Sequence, residues 1–188
     1  MKILDSNSKN FEKKLDILLT QRKNKIKINL TSVTTIINDV KRNGDKAVLK
    51  YEKKFNKNKI IKPTSKQISK SIKSLDKKIK IAIDLAYDRI YKFHSLQKFK
   101  NISYTDKLNN KLEYKYLPID SVAIYVPGSS ASYPSSVLMN AIPAILAGVK
   151  RIVMINPSHK GKQSSAVLYA ARKCKIKEIY SIGGPSAI

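Results

Sequence analysis

Three short segments carry the residue types that could hold a ligand. Residues 127–136 (PGSSASYPSS), 157–163 (PSHKGKQ) and 183–188 (GGPSAI) each follow an apolar run, and the first and third open helices. Backbone N–H groups at such strand-to-helix turns can cradle the phosphates of a dinucleotide. In the third, Pro185 suits a first helical turn, which leaves Ser186 and its neighbours to bind an anion. Neither turn is a G-x-G-x-x-G or a P-loop, and Ile155-Asn156-Pro157 stands where a ribose-binding acid would follow the second strand. Ordinary turn chemistry is the competing explanation. Lys160 and Lys162 could meet a phosphate, although a solvated loop accounts for them equally well. His94 and His159 are the two histidines and Cys174 the one cysteine, too few for a complete metal site. His94 therefore reads as a capping or core residue, and Cys174 as a small buried side chain rather than a nucleophile. No carboxylate pair or Ser/His/Asp set suggests itself, so no catalytic or metal-ligating residue is assigned.

The elements that must position these loops follow from periodicity. SVAIYV (121–126), RIVMIN (151–156) and EIYSIG (178–183) are short apolar runs. The helical segments SVLMNAIPAILAGV and SSAVLYAARKCK separate them. Strand, helix, strand, helix, strand with short loops signals a parallel sheet with right-handed crossovers, half of a doubly wound α/β domain. In such sheets ligands bind beyond the carboxyl ends of the strands, where all three loops lie. Upstream, LTSVTTIINDVKRNGDKAVLKYEKKF reads as two helices. Thr31 or Ser32 caps the first, Gly44 ends it, and Asp45 caps the second, which buries Val48, Leu49 and Phe55. A short helix begins at Ser65. Asp76 opens a longer one with the stripe Ile79, Ala82, Ile83, Ala86, Ile90 and Phe93. KLEYKYL (111–117) alternates like a strand.

The expected fold class is thus α/β, a helical N-terminal segment followed by an incomplete Rossmann-like βαβαβ parallel sheet. A change in composition near Pro118 divides 1–118, part of a first domain, from 119–188. Only Ser186, Ala187 and Ile188 follow the last glycine turn, so the sheet looks cut off in mid-fold, with core surface left uncovered.

The chain has 188 residues with 38 Lys plus Arg against 13 Asp plus Glu, a net charge of +25. Such an excess raises affinity for phosphate polymers and anionic lipid. Only Arg22, Arg42, Arg89, Arg151 and Arg172 are arginines, however, whereas bidentate phosphate and base recognition favours Arg over Lys. Lysine spread among Ile, Asn and Tyr, all with A/T-rich codons, is better explained by composition drift than by a nucleic-acid surface. The N-terminus lacks the apolar core of a secretory signal, and the most apolar stretch, VLMNAIPAILAGV, is too short to cross a membrane. With one cysteine, these features point to the cytoplasm.

The segments IYVPGSSASYPSSVLMNAIPAILAGVKRIVMINP and EIYSIGGPSAI resemble the histidinol dehydrogenase family, as do VKRNGDKAVLKYEKKF and AYDRIYKFHSLQ further upstream. That resemblance implies an NAD- and zinc-dependent enzyme of histidine biosynthesis, oxidising L-histidinol through the aldehyde to L-histidine. It also implies two Rossmann-like domains in an intertwined homodimer, with residues 119–188 a truncated NAD-binding domain. One family contact to NAD is the tyrosine opening the YVPG loop, Tyr125 here. Another is a glutamine in a GGAQAI turn, whose place Ser186 takes in GGPSAI. Ser129 stands where the family usually has the second glycine of PGG. The family's Glu-His acid/base pair, its Gln, His, Asp and His zinc ligands and its histidinol contacts all fall beyond Ile188. The chain alone is accordingly expected not to oxidise histidinol, unless a complementary C-terminal chain supplies the rest. A non-catalytic NAD-binding or dimerisation subunit is the alternative, and a basic nucleic-acid-binding protein a more remote one.

Overall fold

The computed structural model describes residues 4–128, 132–158 and 161–188. Its first helix is longer than the sequence pattern suggests. α1 runs unbroken over Phe11–Asn43, through the expected cap at Thr31 or Ser32. The neighbouring hydroxyls of Thr34 and Thr35 donate to the carbonyls of Leu30 and Thr31, 2.8 and 2.9 Å away, four residues back along the helix. In this geometry a hydroxyl is absorbed by the helix instead of starting one. Gly44 ends α1 as expected, its amide bonding Val40 O at 2.8 Å with φ 53°. The same glycine, not Asp45, caps α2 (Asp45–Tyr51).

Ala47, Val48 and Tyr51 are buried along α2, and Asp39 ties it to α1 by accepting bonds from Lys50 Nζ and Tyr51 Oη. The chain then widens into a π-helical turn over Glu52–Asn56. An extra residue per turn changes which side chain faces inward. Glu52 becomes buried, while Phe55, expected in the core, is 59% exposed and Leu49 only half-buried.

α3 (Ser65–Lys73) starts with a reciprocal capping box between Thr64 and Gln67, and α4 (Lys77–Ser95) with the Asp76 carboxylate accepting the Lys78 amide at 2.6 Å. Of the expected α4 stripe, Ile83 is buried and Ala86 and Ile90 pack on the core, while Ile79, Ala82 and Phe93 remain exposed. A hairpin follows, β1 (Ile102–Thr105) against β2 (Lys111–Tyr114), antiparallel and exposed throughout. Asp106 closes its turn by accepting the amides of Leu108 and Asn110, both at 2.8 Å.

The remaining strands form one parallel sheet in the order β3 (Ser121–Tyr125), β4 (Arg151–Ile155), β5 (Glu178–Tyr180). Ser121 pairs with Arg151 and Tyr125 with Ile155, and β5 joins by pairing Glu178 with Val153. Strand order advances in one direction, so crossovers of the same hand put α5 (Pro134–Ala147) and α6 (Ser165–Lys173) on one face. Ile124, Val126, Met154 and Ile179 meet Val137, Leu138, Ile142, Val167 and Ala170 there, joined by Ile72 of α3 and Ile83 of α4. Tyr169 Oη and Lys173 Nζ of α6 both reach the Asp84 carboxylate of α4, each at 2.9 Å. On the opposite face Ser121, Ala123 and Tyr125 of β3 are exposed. The expected α/β class and βαβαβ order hold, with the β1–β2 hairpin as an element that the sequence pattern half concealed.

Candidate cofactor site at the carboxyl ends of the parallel strands

Beyond the carboxyl ends of the strands the three loops meet around Pro157. Backbone pairing outlasts the strands, since Val126 donates to Ile155 O at 2.8 Å and Asn156 to Tyr180 O at 2.9 Å. A Cβ at Gly128 would lie 1.8 Å from Pro157 O, so the first two loops touch main chain to main chain. A Cβ at Gly183 would stand 2.7 Å from Pro157 Cγ, which brings in the third. Asn156, in the place where a ribose-binding acid would stand, is instead a clasp. Its side-chain amide donates to Val126 O at 3.0 Å, and Gln163 Nε2 donates to the Asn156 carbonyl at 2.9 Å. Ser132 of the first loop and Ser164, at the start of α6, meet through hydroxyls 2.6 Å apart.

The third turn has its polar groups already engaged. Gly183 N–H donates to Glu52 Oε1 at 2.8 Å, and Gly184 N–H faces Tyr125 Oη at 3.4 Å. Ser186 is 8% exposed, and its hydroxyl donates to the Gly183 carbonyl at 2.8 Å. Only a four-residue 3-10 turn, Gly184–Ala187, follows. The anion cradle expected from GGPSAI is therefore filled from within at its two glycine amides. Tyr125 and Ser186, far apart in sequence, are brought to this one turn, Tyr125 with 43% of its surface open.

The sequence pattern missed the contribution of residues 52–61. Glu52 reaches Gly183, Asn58 Nδ2 donates to Ser181 O at 2.7 Å, and Ser181 N donates to Ile61 O. The pair Glu52 and Asn56, four apart in YEKKFN, is a local signal for a helical side-chain contact. Nothing local foretells a partner 131 residues away. Lys162 and Gly161 border a groove of about 310 Å³ with Pro63, Gln67 and Ser181. Ser129, His159 and Lys160 lie outside the described residues.

The other candidates lie elsewhere. His94, in the last turn of α4, places Nδ1 2.6 Å from Gln97 Oε1 beside an apolar groove with Phe99, Tyr116 and Pro143. Cys174 is buried behind α6, and burial pushes its thiol up to about 12, against a smaller opposing pull from Lys173. A thiol held so high stays protonated and unreactive near neutrality. Among the described residues no three His, Cys, Asp or Glu side chains group to hold a metal ion, and no helix is long and apolar enough to cross a membrane.

A one-sided parallel sheet with glycine- and proline-rich loops clasped at its carboxyl edge defines the chain as a Rossmann-like α/β protein. Comparison with known proteins narrows the class. The family model described as histidinol dehydrogenase matches residues 19–188. The histidinol dehydrogenase of Pelagibacter ubique is 77% identical over the whole chain, which spans 44% of that relative. That of Acinetobacter baylyi is 43% identical over 85% of this chain and 38% of its own length. The crystal structure of histidinol dehydrogenase from Elizabethkingia anophelis superposes with a TM-score of 0.80 at 36% identity, covering 84% of this chain and 37% of that one. The chain belongs to the histidinol dehydrogenase family and corresponds to an N-terminal portion of it, spanning less than half the length of these relatives.

Proposed function

We propose that this chain is the part of a histidinol dehydrogenase that seats NAD, at the carboxyl ends of β3, β4 and β5. The observation that supports this most directly is the convergence of Tyr125 and Ser186 on the Gly183–Gly184 turn, within a chain 77% identical to a named histidinol dehydrogenase. NAD, when bound, supplies a hydride acceptor. Tyr125 offers it an exposed ring and a hydroxyl steadied by the Gly184 amide, and Ser186 holds the turn closed through the Gly183 carbonyl. Zinc does not fit the described residues, because the buried thiol of Cys174 and the distant His94 share no site, and no step is assigned to a metal here.

On this proposal residues 119–188 form the cofactor-binding unit and 1–118 part of a first domain, acting in the cytoplasm in histidine biosynthesis, as a homodimer or beside a complementary chain. Histidinol oxidation needs an acid/base and a metal, each worth orders of magnitude in rate. The 188-residue chain is expected to bind NAD in a calorimeter and to make no NADH from histidinol, zinc and NAD. NADH production would refute the expected inactivity. Absence of NAD binding, with the fold intact by circular dichroism, would refute the cofactor role.

A further inference from the structure

Glu52 is a charged group at this end of the sheet that the cofactor role leaves without a task. Its side chain is 1% exposed. The carboxylate accepts Asn56 Nδ2 at 3.0 Å on each oxygen and the Gly183 amide at 2.8 Å on Oε1. Those donors are all neutral. Burying a carboxylate among neutral partners is unfavourable, so the charge has to be held in place by well-directed donors. An ionised acceptor in turn fixes an N–H more firmly than a neutral one. The π-helical turn over Glu52–Asn56 aims the side chain inward, and Asn58 and Ile61 secure the same segment to Ser181. Gly183 N–H thus finds its anion inside the protein, and the adjacent Gly184 N–H is left to face Tyr125.

We propose that Glu52 is a built-in anion at the cofactor turn, a positioning residue that holds Gly183 so that Gly184 and Tyr125 meet the dinucleotide in one fixed arrangement. This rests on the NAD-binding role proposed above, and the test separates the two. Amide hydrogen exchange at Gly183 and NAD affinity are to be measured on the 188-residue chain and on E52A, E52Q and D84N. In E52A the Gly183 amide and Asn56 face an empty space that fits a small carboxylate. Exchange at Gly183 is expected to quicken, and NAD affinity to fall, each roughly tenfold or more, from the loss of a charge-assisted hydrogen bond. Formate should reverse both changes in E52A and alter neither in the wild-type chain. E52Q, which keeps an oxygen acceptor, should fall between the two. D84N loosens α4 from α6, away from the Gly183–Gly184 turn, so it should lower thermal stability and leave exchange at Gly183 and NAD affinity unchanged. If E52A does not fold, E52D replaces it with the same expectation, because its carboxylate falls one methylene short of Gly183. Wild-type exchange at Gly183 in E52A or E52D would overturn the proposal, as would equal loss of NAD affinity in D84N. If the wild-type chain binds no NAD, the cofactor role fails by itself and the exchange and formate measurements still decide on Glu52.

Discussion

Gly128 shows how much of this protein's geometry is set by the absence of one carbon atom. The obstacle to a side chain there is Pro157 O, a main-chain atom that no rotamer change can move. Gly128→Ala would have to push β3 and β4 apart where their loops cross, and overpacking of this kind costs about 3 kcal/mol. Its melting temperature should drop by several degrees, with NAD binding lost even where the fold survives; an unchanged melting temperature would show that the loops do not touch as described. The turn-forming character of GGPS was legible in the sequence, and so was the burial of Cys174. The role of Asn156 was not. An asparagine after a strand looks like a substitute for an acid until its amide is seen clasping the Val126 carbonyl.

Among elements, the contact of α4 with α6 responds to pH through Asp84. Burial pushes the Asp84 carboxyl up, but the Lys173 ammonium and the Tyr169 hydroxyl outweigh that and leave it below its ordinary value. A carboxylate lowered in the folded state adds stability above its unfolded pKa of about 4 and loses it as pH falls through the lower folded value. Asp84→Asn should therefore flatten the acid limb of a melting-temperature profile and cost under about 1 kcal/mol at neutrality, since the pair is partly solvated. An unaltered acid limb would assign acid sensitivity elsewhere, first to Asp39. Lys50, Tyr51 and Asn43 hold that carboxyl down to about 2, so its share of stability is lost only as pH falls toward that value. The three parallel strands and the α3, α4, α5 and α6 helices were legible because their apolar periods are strong. β1 was not, since ISYT is exposed on both faces and carries no alternation for a core to impose. The π-helical turn escaped for a related reason. Helical periodicity places Phe55 inward, and the bulge is visible only through the buried Glu52 that replaces it.

At the scale of the whole molecule, the net charge of +25 must be borne on a small surface. Residues 1–118 carry net +19 and 119–188 net +6, so most of the excess lies on the N-terminal helical segment rather than around the parallel sheet. Self-repulsion of this size weakens the compact state and is screened by salt, over a Debye length of about 10 Å at 0.1 M. Raising sodium chloride from about 50 mM to about 500 mM should therefore raise the melting temperature, the reverse of what loss of surface ion pairs alone would give. The same charge will retain DNA at low salt, and the two explanations of the lysines part company there. Drift predicts retention that ignores sequence and vanishes by about 200 mM, because few phosphates are neutralised together. A dedicated surface predicts a steep linear dependence of log affinity on log salt and binding that survives that concentration. A titration of fluorescent duplex against salt, with NAD present and absent, decides between them. Binding that persists and is blocked by NAD would put nucleic acid at the carboxyl end of the sheet, on the surface that NAD occupies.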